Sequence, residues 1–284
     1  VSSTFYKMQP MKLEVYKSIV DDFKKCRAFG RTQENELKQK YKHIPSLTMG
    51  SIISLLVQRT MKQNYRKSAA ISHKYHDQLR DCIKADKQEN PILQLANRQG
   101  ICSSLYARSV LQHVNSESSE VKEQLKDSTL IQDKDLAYQI FVATMNDNQY
   151  GPYSDVIKGS IGSEYEIRLD RKLKKLNIPC LDETILRSRG YDKTPDFKLE
   201  VPIAVDGFVI NWIESKAMFG DEENHAGYLE DQLLCYTNRF GPGLVIYWFG
   251  YLETLDDIPD ENKMIKLKTG FPSLESITYL KYDV

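Results

Sequence analysis

The sequence has few cysteines, and their spacing does not resemble a metal or disulfide framework. The five cysteines, at positions 26, 82, 102, 180 and 235, include no short-spaced pair, so neither a zinc knuckle nor a disulfide scaffold is indicated. The histidines form no metal-site spacing either, although His73 and His76 lie three apart on one predicted helix. The simple interpretation is a protein of a reducing compartment.

Long apolar runs are also missing. The longest, from Leu244 to Leu252, is interrupted by Gly250 and is far shorter than the ~20 residues that a membrane-spanning helix needs. The first seven residues contain no apolar signal core. We therefore expect neither secretion nor insertion into a membrane.

Net charge is zero overall but not locally. The chain has 39 basic and 39 acidic residues, yet residues 1–130 carry 22 Lys and Arg against 13 Asp and Glu, and the remainder carries 17 against 26. The net charge of residues 1–130 is therefore +9, and that of residues 131–284 is −9. A basic module joined to an acidic one suits nucleic-acid docking by the first and metal binding by the second, whereas electrostatic packing of the two parts is the alternative.

The basic part is predicted to be almost wholly helical. Helical runs are expected at about 11–29, 33–41, 47–66, 69–86, 91–98 and 103–114. The polar stretch from Asn115 to Lys126 lacks aromatic residues and is typical of a linker. These patterns predict a helical domain over 11–114, a linker over 115–130 and a second domain over 131–284.

The stretch from Leu93 to Leu111 resembles a helix-turn-helix. It has a small Ala96, a turn at Gly100 and a second helix that Ser103 could cap. The polar face of that second helix would offer three side chains to phosphates or base edges, namely Ser104, Arg108 and Gln112. A plain helical hairpin has the same pattern, so binding of nucleic acid and binding of a protein partner both stay open.

Two motifs in the acidic part carry the chemistry, Thr194-Pro195-Asp196 and Glu214-Ser215-Lys216. The residues between them form two runs rich in Val, Ile, Phe and Trp, which Asp206-Gly207 separates. An Asp-Gly pair between such runs predicts a β-hairpin with a type I′ turn, which returns Glu214 towards Asp196. Because strand side chains alternate, Glu214 and Lys216 should share a face while Ser215 points away and leaves its carbonyl near the site.

Clustered carboxylates repel unless a cation compensates them, and hard oxygen ligands suit Mg²⁺ or Mn²⁺. We therefore expect a divalent metal near Asp196 and Glu214, with Lys216 orienting or deprotonating the attacking water. Either tripeptide alone is more often an ordinary strand end. Their pairing across a hairpin favours a metal-dependent phosphodiesterase site.

A third acid is expected on an upstream helix. Residues 162–176 show helical periodicity, with an apolar stripe at Ile161, Tyr165, Leu169, Leu173 and Leu176. Glu166 lies next to this stripe and is the preferred candidate, with Glu164 in reserve. Both acids could equally be first-turn residues that favour the helix N-terminus.

The Gly-x-x-Tyr-Glu of residues 162–166, the Pro-Asp of 195–196 and the Glu-x-Lys of 214–216 resemble the PD-(D/E)xK nuclease superfamily, in the same order. The longer strings at 190–197, 212–217, 219–222 and 238–248 resemble one branch of it, the codanin-interacting nucleases with a Thr-Pro-Asp motif. The resemblance is strong over about 150–250 and looser elsewhere.

The resemblance implies an α/β fold, a restriction-endonuclease-like core with a mixed central sheet flanked by helices, after the all-α N-terminal half. It implies that Asp196, Glu214 and the Ser215 carbonyl hold Mg²⁺ or Mn²⁺, that Lys216 positions the water, and that Glu166 completes the acidic cluster. In resolvase-like members a glutamine follows the Glu-x-Lys strand, and Gln232 occupies the matching place, although a solvated helix residue would look the same.

The resemblance further implies codanin as a partner, residence in nucleus and cytoplasm, and a role in red-cell maturation. The expected activity is hydrolysis of phosphodiester bonds, with DNA as the favoured nucleic acid. A homodimer would suit cleavage of both strands of a duplex. The competing hypothesis is a non-catalytic adaptor that keeps the nuclease fold to bind codanin.

Overall fold

The computed structural model describes residues 9–26, 30–68, 77, 79, 81, 90–114, 118–257 and 264–279. The chain forms two compact units. The helical unit comprises residues 18–159, and the sheet unit comprises residues 1–17 together with 160–284. The sheet unit is therefore assembled from two separate parts of the chain.

The described helices are α1 (Leu13–Lys25), α2 (Arg31–Lys40), α3 (Ser46–Ser68), α4 (Pro91–Gln99), α5 (Ser103–Val114), α6 (Ser118–Lys126), α7 (Lys134–Met145), α8 (Pro152–Lys175), α9 (Glu183–Ser188), α10 (Glu222–Tyr228) and α11 (Leu234–Phe240). The strands are β1 (Cys180–Asp182), β2 (Phe197–Val205), β3 (Phe208–Lys216), β4 (Gly243–Tyr247), β5 (Ile265–Lys268) and β6 (Ile277–Tyr279). None of the described helices is long and apolar enough to span a lipid bilayer.

The predicted helices of the basic part agree with α1 to α5 to within a few residues at each end. Pro91 begins α4 at a position where its missing N–H costs no hydrogen bond. Gly100 ends the same helix with φ of 63°, a left-handed conformation that favours glycine. Most of the predicted run 69–86 lies outside the described residues.

The predicted linker over 115–130 differs from the structure. Residues Ser118–Lys126 form α6, in which Val121, Gln124 and Leu125 are buried. Val121 and Leu125 lie four apart, so one face of this otherwise polar helix packs into the helical unit. The two compact units divide between Gly159 and Ser160, within α8, and not in the polar stretch.

The prediction that Ser104 faces nucleic acid is wrong, because α5 turns this residue inward. Ser104 is 3% exposed. Its backbone N–H donates to Oδ2 of Asp147 at 2.9 Å. The neighbouring Ser103 is the first residue of α5, not the residue before it, and its hydroxyl donates to the Ala143 carbonyl at 2.7 Å. Ala143 in α7 and Asp147 just after it therefore accept hydrogen bonds from the start of α5.

The sheet unit contains a mixed six-stranded sheet. Its order is β1-β2-β3-β4-β5, and β6 pairs with the far end of β2. Neighbours of β2 run antiparallel to it, whereas β3, β4 and β5 are mutually parallel. This arrangement confirms the predicted mixed sheet, while β1, β6 and the short α9 were not predicted.

The predicted Asp-Gly hairpin is confirmed. Asp206 and Gly207 have φ of 46° and 78°, the positive values that a type I′ turn requires. Strands β2 and β3 pair next to the turn with Val205 opposite Phe208, and after a register shift between Lys198 and Ile203 they pair again with Phe197 opposite Ile213. The hairpin therefore brings the end of β3 to the start of β2, where the Thr-Pro-Asp motif lies.

Helices cover both faces of the sheet. On one face, Leu169 and Leu173 of α8 are fully buried in a cluster with β2, β3 and β4 residues. On the other face, Leu233 and Tyr236 pack against Trp212 and other buried side chains. All five residues of β4 are buried, as its continuous apolar run predicts for a strand between two helical layers.

The helical segment from Glu222 to Phe240 is interrupted. Residues Leu229–Leu233 form a π-helical turn between α10 and α11. Such turns insert one residue into a helix and are frequent at functional sites. This turn lies beside the end of β3.

The start of α1 belongs to the sheet unit. Met11 pairs in parallel with Leu252, and its backbone N–H donates to the Tyr251 carbonyl at 2.7 Å. The carboxylate of Glu253 accepts from the backbone N–H of Leu13 at 2.8 Å, which satisfies an otherwise unpaired donor at the start of the helix. The Tyr16 hydroxyl donates to Asp221 at 2.6 Å.

Candidate active site

The Thr-Pro-Asp motif holds Asp196 at the point where β2 begins. Thr194 and Pro195 are buried, and Asp196 follows them immediately before the strand. Its Oδ2 atom accepts a hydrogen bond of 2.7 Å from the backbone N–H of Ser215. The first motif is thereby bonded directly to the second.

Glu214 and Lys216 project from the same face of β3. The Lys216 Nζ atom lies 2.7 Å from Glu214 Oε1. The other carboxylate oxygen of Glu214 accepts from the backbone N–H of Asp196 at 3.2 Å. The structure therefore brings Asp196, Glu214 and Lys216 together, as the alternation of strand side chains predicts.

Ser215 points to the opposite face of the sheet. Its hydroxyl accepts a hydrogen bond of 2.8 Å from the indole N–H of Trp248. The Trp248 ring in turn packs against Tyr165 of α8, with ring centroids 5.1 Å apart. The side chain of Ser215 is thus occupied in packing, and only its backbone belongs to the carboxylate cluster.

The two carboxylates are buried close together, and this shifts their protonation. Burial raises the pKa of Asp196 well above its usual range, and the negative charge of Glu214 raises it further. Burial also raises the pKa of Glu214, although the Lys216 ammonium opposes that effect. A second cation at this place would favour both ionised carboxylates.

Lys216 contacts Gln232 and Tyr228 as well as Glu214 of its own strand. Burial is the largest influence and acts to lower its pKa, but the negative charges of Glu214 and Asp196 together outweigh burial and the pKa is raised. Gln232, in the π-helical turn, accepts a second hydrogen bond from Lys216 Nζ at 3.0 Å. The Tyr228 ring lies beneath the ammonium, with the nitrogen 4.5 Å from the ring centroid.

Gln232 is therefore directed into the site and not into solvent. Tyr228 was not among the predicted site residues. The available signal was its spacing, since it precedes Gln232 by four residues and such residues share a helix face.

The two upstream acids differ in their surroundings. Glu164 is exposed and forms an ion pair with Arg168, one turn further along α8. Glu166 is also exposed, but its charge acts to raise the pKa of Asp196. Of the two acids, Glu166 is therefore the one whose charge acts on Asp196, which favours it over Glu164.

The donor set fits a hard divalent cation. Asp196 and Glu214 supply buried carboxylate oxygens, and the Ser215 backbone lies between them in the sheet. Within the described part of the chain no group of three or more His, Cys, Asp or Glu side chains is placed to hold a metal. Two carboxylates suffice for Mg²⁺, which keeps several waters, so Glu166 would act at longer range or through water.

The residues predicted to contact nucleic acid belong to the helical unit. Arg108 and Gln112 are exposed on α5, and Ser104 is buried. The four described cysteines, Cys26, Cys102, Cys180 and Cys235, are unpaired.

Comparison with known proteins identifies relatives along most of the chain. Residues 132–269, which include Thr194-Pro195-Asp196, match the family model "Protein of unknown function TPD sequence-motif". No solved structure matches the chain.

Several curated proteins named CDAN1-interacting nuclease 1 are similar to this chain. The protein of Danio rerio is 42% identical over 246 residues, covering 84% of this chain and 81% of the relative. The Homo sapiens protein is 42% identical over 253 residues, covering 86% and 89%. The Mus musculus protein is 40% identical over 252 residues, again covering 86% and 89%. The chain therefore belongs to the CDAN1-interacting nuclease 1 family.

Proposed function

We propose that this chain is a metal-dependent nuclease of the PD-(D/E)xK type, which hydrolyses phosphodiester bonds of nucleic acid, with DNA as the substrate. The observation that carries the proposal is the convergence of Asp196, Glu214, Lys216 and Gln232 at one edge of the sheet. The names of the relatives support a nuclease as well.

Asp196, Glu214 and the Ser215 carbonyl would hold Mg²⁺ or Mn²⁺, which supplies Lewis-acid polarisation of a phosphoryl oxygen when bound. Lys216 orients the attacking water or a non-bridging oxygen through an N–H donor. An ammonium has three donors, and two of them are used by Glu214 and Gln232. The third donor is used by neither of these acceptors.

The proposal assigns docking of the nucleic acid to the basic helical unit. Arg108 and Gln112 are the exposed residues of α5 that could contact phosphates or base edges. The printed name of the relatives also supports a second assignment, namely association with CDAN1. The proposal extends to residence in nucleus and cytoplasm, to a role in red-cell maturation and to a homodimeric state.

The second candidate function is a non-catalytic adaptor that binds CDAN1 through a retained nuclease fold. The Lys216–Glu214 pair favours it to a limited extent, because the ammonium already compensates one of the two carboxylates. An adaptor of this kind would need neither metal nor cleavage.

One experiment separates the two functions. The purified chain, Asp196→Asn and Asp192→Asn are incubated with labelled duplex, single-stranded, flapped and four-way DNA and with RNA, in Mg²⁺, Mn²⁺ or EDTA. Asp192 is a matched control, since it is exposed and paired with Arg239. We expect cleavage by the wild type and Asp192→Asn, and none with Asp196→Asn or EDTA. No cleavage under any condition, with CDAN1 binding retained, would establish the adaptor.

A further inference from the structure

The Lys216 ammonium is surrounded on three sides. Glu214 Oε1 lies 2.7 Å away on its own strand, and Gln232 Oε1 lies 3.0 Å away on the π-helical turn. The third side is the face of the Tyr228 ring, 4.5 Å from the nitrogen to the centroid. A cation at this distance over an aromatic face is attracted by the ring quadrupole.

The Tyr228 ring is itself held in place by two further contacts. Its hydroxyl donates to Met218 Sδ at 3.2 Å, and Met218 follows Lys216 by two residues in the chain. The ring also packs against the buried cluster that contains Trp212 and Tyr236. Tyr228 therefore presents one face to Lys216 and cannot turn away without disturbing this packing.

Two side chains of the helical segment that contains the π-helical turn reach the same lysine. Tyr228 is the last residue of α10, and Gln232 lies four residues later within the turn Leu229–Leu233. Residues four apart on a helix share a face, and here that face is directed towards the end of β3. The helix thus supplies a polar contact and an apolar contact to one ammonium.

A lysine side chain has many rotamers, so holding its ammonium in one place requires contacts along more than one direction. Two hydrogen-bond acceptors leave the ammonium able to swing about the line that joins them. A ring face beneath the nitrogen removes that freedom without adding another negative charge to a site that already has two carboxylates.

We propose that Tyr228 is a positioning residue that holds the Lys216 ammonium in place for the hydrolytic reaction, through the face of its ring and not through its hydroxyl. The inference rests on the proposed nuclease function for its kinetic consequence. Its structural part, the restraint of Lys216, holds whether or not the chain cleaves nucleic acid.

The test compares Tyr228→Leu, which removes the ring, with Tyr228→Phe, which keeps it. Tyr228→Met serves as a second ring-free variant in case the leucine variant does not fold. Tyr191→Phe controls for loss of a tyrosine hydroxyl elsewhere in the sheet unit, since Tyr191 is 39% exposed. Folding of each variant is checked by circular dichroism and thermal melting.

The first measurement does not depend on activity. Each protein is acetylated with an N-hydroxysuccinimide ester in EDTA, and the rate at Lys216 is followed by peptide mass spectrometry against the exposed Lys172. We expect the rate at Lys216 to rise about tenfold in the ring-free variants and to stay near wild type in Tyr228→Phe. An unchanged rate in a folded ring-free variant would overturn the proposal.

The second measurement is steady-state cleavage of whichever nucleic acid the wild type cuts. We expect the ring-free variants to lose about tenfold in kcat with KM within about twofold, because Lys216 is displaced but substrate binding is not. Tyr228→Phe should restore the wild-type rate. If Phe is as impaired as Leu, the hydroxyl contact matters and the assignment to the ring is wrong. If the wild type cuts nothing, the nuclease proposal fails and the acetylation rates still decide the role of Tyr228.

Discussion

The ammonium of Lys216 and the carboxylate of Glu214 form an ion pair of 2.7 Å whose side chains are only 14% and 5% exposed. Each charge is thus largely removed from water and depends on the other for compensation. Removing one member of such a pair leaves an isolated charge in a poorly solvated place, which costs more than the pair itself contributes.

Lys216→Met should therefore destabilise the sheet unit by about 3 kcal/mol when measured in EDTA. Both tryptophans of the chain, Trp212 and Trp248, lie in this unit, so urea unfolding followed by tryptophan fluorescence reports on it. The double variant Glu214→Gln, Lys216→Met should recover part of the loss, because Glu214 no longer leaves an unpaired charge. Equal stability of Lys216→Met and wild type would show that Glu214 is compensated in another way.

Gly243→Ala should destabilise the same unit by about 2 kcal/mol or more. A Cβ atom added at Gly243 would lie 2.0 Å from the Trp212 ring, and the indole N–H is held by the Gly241 carbonyl at 2.8 Å. Gly162→Ala is the matched control, since a Cβ there meets nothing within 4 Å and the residue lies in α8. Urea midpoints compare the two variants, and similar midpoints would contradict the close approach.

His225 should make stability depend on pH in the acidic range. Burial lowers its pKa below the ordinary value of 6.5, and its Nδ1 atom lies 3.0 Å from the Tyr247 hydroxyl. The unfolded chain therefore binds a proton at pH values where the folded chain does not. The stability that the chain gains by keeping His225 neutral is fully present above about pH 6.5. It is lost as the pH falls towards the pKa of His225 in the folded state.

The check is the urea midpoint of wild type and His225→Phe at several pH values from about 5 to 8. We expect the difference between the two proteins to shift in favour of the variant as pH falls. Other titrating groups, including Asp196 and Glu214, are common to both proteins and cancel in this difference. Parallel curves would mean that His225 does not carry the effect.

Tyr16→Phe should weaken the attachment of residues 11–17 to the rest of the sheet unit. The lost hydroxyl donates to Asp221 at 2.6 Å, and Asp221 is 2% exposed, so we expect a loss of about 1.5–3 kcal/mol. The stacking of the Tyr16 ring on Phe219, 5.9 Å between centroids, is retained in this variant. Tyr191→Phe serves as the control in the same fluorescence assay and should be neutral.

The parts of the fold that follow from local chemistry could be predicted from the sequence. Asp206-Gly207 specifies its turn because few other residue pairs accept two positive φ values, and the turn sets the pairs next to it, such as Val205 with Phe208. The alternation along β3 then places Glu214 and Lys216 on one face. The register shift between Lys198 and Ile203, which decides that Phe197 lies opposite Ile213 beside the candidate site, was not predicted from the sequence.

The parts that depend on distant packing could not be predicted. Ser104 has the spacing of an exposed residue, and only the approach of Asp147 and the end of α7 buries it. The polar composition of 118–126 conceals the pair Val121 and Leu125, whose burial requires a neighbouring surface. The π-helical turn at 229–233 has no compositional signal, so the four-residue spacing of Tyr228 and Gln232 was the available indication that Tyr228 lies near Lys216.

The pairing of Met11 with Leu252 has a consequence for the order of events during synthesis. A ribosome releases residues 18–159 as an uninterrupted stretch, so the helical unit can fold as soon as it emerges. The first segment of the sheet unit must wait, unpaired, until Tyr251 and Glu253 have been made. The sheet unit, which contains the candidate catalytic residues, is therefore completed late in translation, when its first segment pairs with residues 251–253.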